Sequence, residues 1–235
     1  MRLSAPIHSL KRRAKLMARD EDIPLHDALD RIAREEGFVA WSLLSSRLMM
    51  SPPATSLLPD LAAGDMLLLA ARPGHGKTRL GLQLLIDAVL DGRRAVFFTL
   101  EYTEHEVLDR IQSLNDQVTA RALEIVTSND ISADFITRYL SGAPRETVAV
   151  IDYLQILDQQ RSKPALAEQL HVLQEFARST GTILAFISQV DRSYDPERSA
   201  VPDLTDLRLP NPVPIEVFSK ACFLNAGEIK VQRIA

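Results

Sequence analysis

Met66-Leu67-Leu68-Leu69-Ala70-Ala71-Arg72-Pro73-Gly74-His75-Gly76-Lys77-Thr78 is the stretch on which the reading of this chain turns. An apolar run gives way to a glycine-rich turn, and the turn opens directly into an amphipathic helix predicted over Lys77–Leu90. A triphosphate needs converging backbone N–H donors at a helix N-terminus, a lysine that reaches the β- and γ-oxygens, and a hydroxyl to hold Mg2+. Gly74, Gly76, Lys77 and Thr78 supply that set, and the whole turn from Arg72 and Pro73 through to Arg79 is expected to line the nucleotide. His75 reads as a filler of the loop and not as a ligand. Ala71 stands where the strict pattern has glycine, so taken alone the segment also reads as a plain strand-to-helix turn.

Outward from this turn, short apolar runs alternate with amphipathic helices, which is the pattern of a parallel α/β sheet. The predicted strands are Met66–Ala70, Ala95–Leu100, Leu123–Thr127, Val148–Tyr153, Ile183–Ser188, Ala221–Asn225 and Glu228–Gln232. The remaining predicted helices are Thr103–Leu114, Ala133–Ser141 and Ala165–Ser179. Val148-Ala149-Val150-Ile151 is apolar without alternation, as expected of a strand covered on both faces. The last two runs, separated by Ala226-Gly227, predict an antiparallel hairpin at the end of the sheet.

Residues 7–48 differ in character. Apolar side chains recur there at three- and four-residue steps (Ile7, Leu10, Ala14, Met17, then Leu25, Ala28, Leu29, Ile32), which predicts helices, with Gly37 ending the second. Ser51-Pro52-Pro53 breaks the pattern. The chain therefore divides into a small helical module over 1–50, a linker over 51–63 and an α/β domain over 64–235. The net charge of −4 hides an asymmetry: the first nineteen residues carry six basic side chains and no acidic one. That face could meet phosphates or an acidic partner, and it also reads as a solvated helix face.

Of 235 residues, 46% are hydrophobic and 25% charged, which excludes disordered, collagenous and low-complexity classes. No run is long enough to span a bilayer and no signal-peptide core follows the basic start, so no membrane association and a cytoplasmic location are expected. One cysteine and five scattered histidines leave no disulfide framework and no cysteine-cluster metal site.

Three further strand ends carry chemistry. Asp152 closes a buried strand at the sheet edge where ligands bind; alone it reads as a turn residue, and paired with the phosphate loop it becomes a candidate for holding Mg2+ opposite Thr78. Glu101 follows the run Ala95–Leu100 and is the natural general base for an attacking water, or else a helix-capping acid ahead of Thr103. Gln189 puts an amide at the same rim, as a γ-phosphate sensor or a plain strand terminus.

The order and wording of "AARPGHGKT", "FFTLE", "VIDYLQIL", "ISQVDR" and "PDLTDLR" resemble the ATPase domain of DnaB-like replicative helicases, within the RecA-like P-loop fold, over about residues 55–225. The resemblance implies ATP and Mg2+ as cofactors. It makes Lys77 and Thr78 the phosphate and Mg2+ residues, Glu101 the catalytic glutamate, Asp152 the Mg2+-organising aspartate and Gln189 the γ-phosphate sensor. In that family an alanine at the first loop position is common. The resemblance further implies hydrolysis at the subunit interfaces of a homo-oligomer, expected as a hexamer, acting on single-stranded or forked DNA.

Lys230 and Arg233 are candidates for cations reaching a neighbour's site, although their spacing departs from the family and they read as well as edge-strand charges. The loops expected to meet DNA are Asp158–Pro164 and Asp191–Leu204, with Arg161, Lys163, Arg192 and Arg198 as cations and Tyr194 as the aromatic. A rival reading on the same fold is a nucleotide-switched regulatory or loader ATPase that never translocates. A small-molecule kinase fits less well, for want of an arginine-rich lid.

Overall fold

The computed structural model describes residues 4–5, 7–44, 56–115, 118, 122–158, 163–191, 194–195, 199, 201–207, 213–225 and 228–234. Seven strands form one sheet: β1 (Met66–Ala71), β2 (Ala95–Thr99), β3 (Glu124–Val126), β4 (Val148–Asp152), β5 (Ile183–Gln189), β6 (Lys220–Asn225) and β7 (Glu228–Arg233). Their spatial order is β3-β2-β4-β5-β1-β6-β7. Every neighbouring pair is parallel except β6 and β7, which form the expected antiparallel hairpin.

The helices are α1 (Ile7–Asp20), α2 (Leu25–Glu35), α3 (Lys77–Leu90), α4 (Glu104–Leu114), α5 (Ala133–Tyr139) and α6 (Leu166–Thr180). Predicted boundaries move by one or two residues for local reasons. Thr103 lies just outside α4 as its cap: its hydroxyl accepts from the Glu106 N–H while the Glu106 carboxylate accepts from the Thr103 N–H. Gly181 ends α6 in the left-handed conformation at φ 77°.

The edge strand β7 is polar and largely exposed, whereas the central strands β1, β2, β4 and β5 are buried almost end to end because helices cover both faces. Alternation sorts their side chains. Leu67, Leu69, Ala71, Phe97, Val150, Ala185 and Ile187 pack against α3 through Leu80, Leu84 and Leu85. Leu68, Ala70, Phe98, Ile151 and Phe186 face α6 through Leu170 and Leu173. Gly81 lets α3 approach this closely: a Cβ there would lie 3.0 Å from the Ile187 side chain and 3.1 Å from Val150. At the far edge, Arg94 grips Glu124 of β3 with two hydrogen bonds of 2.7 and 2.9 Å, and the Tyr139 hydroxyl donates to the same carboxylate at 2.9 Å.

The N-terminal helices pack on each other through Leu10, Ala14, Ala28 and Ile32, all fully buried. Gly37 ends this pair at φ 84°, and the Phe38 N–H returns to the Ala33 carbonyl at 2.9 Å. Residues 41–44 add a single helical turn. Within the predicted linker, residues 51–55 lie outside the described residues, whereas Leu57, Leu58 and Leu61 are buried in the α3 side of the core. Ser56 donates its hydroxyl to Asp87 of α3 at 2.5 Å.

Candidate nucleotide site

The carboxyl ends of β1, β2, β4 and β5 meet at one rim. Ala71 is paired with Gln189, and Thr99 with Asp152. By strand alternation Asp152 and Gln189 fall on the α3 face, the face onto which the glycine-rich turn leads. The turn itself is tight: the His75 N–H bonds back to the Arg72 carbonyl at 3.1 Å. Gly74 (φ 77°) and Gly76 (φ 88°) both take the left-handed conformation, and Gly76 is the cap residue of α3. The first turn of α3 contains no acidic side chain, so its free amides and positive dipole end have no internal carboxylate to satisfy them.

Opposite this helix start lies Asp152, with no exposed surface. Neither of its carboxylate oxygens is engaged in a hydrogen bond of normal geometry. Burial pushes its pKa up to about 6; the facing Thr78 hydroxyl offsets part of the rise, Glu101 adds to it, and Lys77 and Arg110 oppose it. A buried carboxylate with no hydrogen bond of normal geometry, facing a threonine hydroxyl, offers the oxygen donors that a hard divalent cation accepts, and the nearby Lys77 ammonium is suited to phosphate instead. The residues present therefore fit Mg2+.

Glu101 is exposed just beyond β2, and its N–H donates to the Thr99 hydroxyl at 3.1 Å. It does not cap α4, since Thr103 does. Lys77, Thr78, Arg79 and Gln189 are all partly exposed along the rim, as are Arg72, His75 and Gly76, while Pro73 and Gly74 are exposed. Desolvation lowers the pKa of Arg79. The structure thus brings Lys77, Thr78, Asp152, Glu101 and Gln189 to one edge of one sheet.

Several residues depart from their sequence readings or escape them. His75 does more than fill the loop, being hydrogen-bonded to Asn225 at the end of β6; burial lowers its pKa, with Lys11 and Arg72 adding to the effect. Lys11 is itself depressed by desolvation, Arg72 and Lys15, which puts the basic face of α1 within electrostatic reach of the loop. Arg13 of that face is paired with Glu35 at 2.6 Å. Sequence reasoning does not single out Arg110: its guanidinium lies 4.4 Å from the Tyr102 ring centroid, and its charge reaches Asp152. No sequence spacing announces that pair, because Tyr102 precedes the helix that carries Arg110.

The expected DNA-facing inventory shrinks. Tyr194 is 4% exposed and donates its hydroxyl to the Ser199 carbonyl at 2.7 Å, so its ring is not an open stacking platform. Lys163 donates to the carbonyls of Ile131 (2.7 Å), Asn129 (3.3 Å) and Ile156 (3.3 Å), which makes it a staple between segments. Arg161, Arg192 and Arg198 lie outside the described residues. Lys230 and Arg233 are exposed on β7, opposite Phe223 and Lys220. Among the described residues no helix is long and apolar enough to cross a membrane, and no cluster of three or more His, Cys, Asp or Glu side chains could hold a metal.

Comparison with known proteins agrees with this fold. Residues 56–140 match the family described as the DnaB-like helicase C terminal domain. A probable plasmid replicative DNA helicase of Chlamydia muridarum is 26% identical over 180 residues, 63% of this chain and 40% of that protein. The replicative DNA helicase DnaB of Mycoplasma pneumoniae is 25% identical over 196 residues, 66% of this chain and 41% of that protein. The chain thus spans about 40% of the length of these relatives. Among solved structures, an isolated ATPase domain superposes with a TM-score of 0.57 at 18% identity, covering 69% of each chain. A DnaB-like replicative helicase studied with primase gives 0.57 at 18%, covering 92% of this chain and 65% of that one. The fold is the RecA-like P-loop fold, and the resemblance read from the motifs to DnaB-like helicase ATPase domains stands.

Proposed function

We propose that this relative of the DnaB-like helicase ATPase domains is a Mg2+-dependent ATPase that works at the interfaces of a cytoplasmic homo-oligomer, a hexamer in its full form, and couples hydrolysis to binding or unwinding of single-stranded or forked DNA. One observation carries the reading: the buried Asp152 carboxylate, without a hydrogen bond of normal geometry, faces Thr78 and Lys77 at an acid-free helix start. On this reading the amides from Gly74 to Thr78 and the Lys77 ammonium bind the phosphates, and Thr78 and Asp152 hold the metal. Mg2+ held there would neutralise charge on the phosphates.

Glu101, free of any capping duty, orients the attacking water and accepts its proton; the Gln189 amide senses the γ-phosphate from the adjoining strand. Arg110, held over the Tyr102 ring, offsets the charge of Asp152. Arg233 on the exposed edge strand is the candidate to reach an adjacent subunit's site, with Lys230 beside it. Residues 1–50 act as a separate helical module.

A second reading has its own support. The inward-turned Lys163 and Tyr194 leave few DNA contacts among the described residues, which favours a nucleotide-switched regulator or loader that does not translocate. The experiment that separates the two measures ATP hydrolysis with and without single-stranded DNA over a range of protein concentration, together with unwinding of a forked duplex. The helicase reading expects turnover that rises with concentration and with DNA. Turnover indifferent to both, with no unwinding, leaves the switch; absence of ATP binding overturns both.

A further inference from the structure

The phosphate loop has a side-chain contact on the side away from the metal residues. Its tip rests on the end of β6: Ala71 is paired with Leu224, and a Cβ on Gly76 would lie 3.6 Å from the Leu224 side chain. The next residue of that strand, Asn225, is 5% exposed and hydrogen-bonded to His75. Its amide nitrogen donates to the Tyr194 hydroxyl at 3.4 Å, and that hydroxyl donates to the Ser199 carbonyl at 2.7 Å.

The donors run in one direction. An imidazole N–H gives to the Asn225 carbonyl oxygen, the Asn225 amide gives to the phenol, and the phenol gives to a main-chain carbonyl. Burial pushes the Tyr194 hydroxyl up to about 12, so it stays a donor across the physiological range. The chain starts in the turn that would hold the triphosphate and ends in the segment that leaves β5 just after Gln189. That segment is anchored at its root, where the Val190 N–H donates to the Ala71 carbonyl at 3.1 Å.

We infer that His75 is a positioning residue of the phosphate loop, and that His75, Asn225 and Tyr194 form a hydrogen-bonded relay that couples nucleotide occupancy to the segment carrying Tyr194 and Ser199. Asn225 joins the phosphate loop to that segment without belonging to either. The inference rests on the nucleotide-site reading above. Because coupling is reciprocal, cutting the relay at its far end changes nucleotide affinity at its near end.

The test is a double-mutant cycle read as the Kd of a fluorescent, slowly hydrolysed ATP analogue with Mg2+, on the full chain. The variants are His75→Leu, Tyr194→Phe, the pair together, and His75→Gln, which keeps an N–H donor. Tyr194→Phe removes one hydroxyl and keeps the buried ring, and circular dichroism confirms folding. The relay expects each single variant to weaken binding about threefold or more, the pair to be no worse than the weaker single, and His75→Gln to bind within about twofold of the parent. Additive effects, or a Tyr194→Phe variant with unchanged Kd, overturn the relay while the nucleotide site stands. A parent protein that binds no analogue overturns the nucleotide-site reading, and the relay with it.

Discussion

Thr78 and Asp152 face one another across the end of the sheet, the hydroxyl lowering the proton affinity of a carboxylate that burial has raised. The pair joins the first turn of α3 to the tip of β4, and neither Asp152 oxygen has a hydrogen bond of normal geometry.

A buried carboxylate in that condition destabilises the nucleotide-free protein. With a folded pKa of about 6, above the ordinary value, the protonated form is favoured on folding, so the penalty is absent at low pH, grows as pH rises through the interval, and is complete above about 6. Asp152→Asn should therefore stabilise the free protein at pH 7.5 by an amount up to about 3 kcal/mol. Urea unfolding at pH 7.5 and pH 4 checks this, the gain shrinking toward zero at the lower pH. The same variant should lose hydrolysis, and in the parent kcat/KM for Mg-ATP should fall about tenfold per pH unit below the Asp152 pKa.

Lys77→Ala and Glu101→Gln should separate binding from chemistry. The first removes the ammonium at the phosphates and should abolish analogue binding. The second should bind with near-parental Kd and turn over about 10²-fold or more slowly. Normal turnover by Glu101→Gln would remove that residue from the water-orienting role.

Gly81 supports the site without touching it. Gly81→Val places two methyl groups against Ile187 and Val150, where even a Cβ would be at 3.0 and 3.1 Å. Thermal or urea unfolding should show a loss of about 1–3 kcal/mol or more, from forcing α3 off the sheet.

Lys163 distinguishes a staple from a DNA contact. Lys163→Met leaves three carbonyls without their donor and should cost about 1–3 kcal/mol of stability. Fluorescence anisotropy with labelled single-stranded DNA should show affinity unchanged within about twofold.

The parts of the site that were legible in the sequence are those set by local chain geometry. Two glycines before a lysine and a threonine force one kind of turn, and an apolar run ending in Asp152 or Gln189 delivers that side chain to the rim wherever the strand lies in the sheet. Asn225 ends a strand in the same way, and the same logic applied to β6 would have found it. Tyr194 and Lys163 could not be read so, because their hydrogen-bond acceptors are main-chain carbonyls that no side-chain pattern encodes. Nor could periodicity order the strands: the position of β1 between β5 and β6 arises from crossovers that leave no mark on either neighbour's sequence.

Residues 56–61 reach the body on α3, through the Ser56 hydroxyl on Asp87 and the buried Leu57, Leu58 and Leu61. That is the helix whose opening turn would hold the triphosphate. Tension arriving at residues 56–61 is consequently borne by the same rigid rod that a bound anion would grip at its other extremity, so load at one end and occupancy at the other would act along a common mechanical axis.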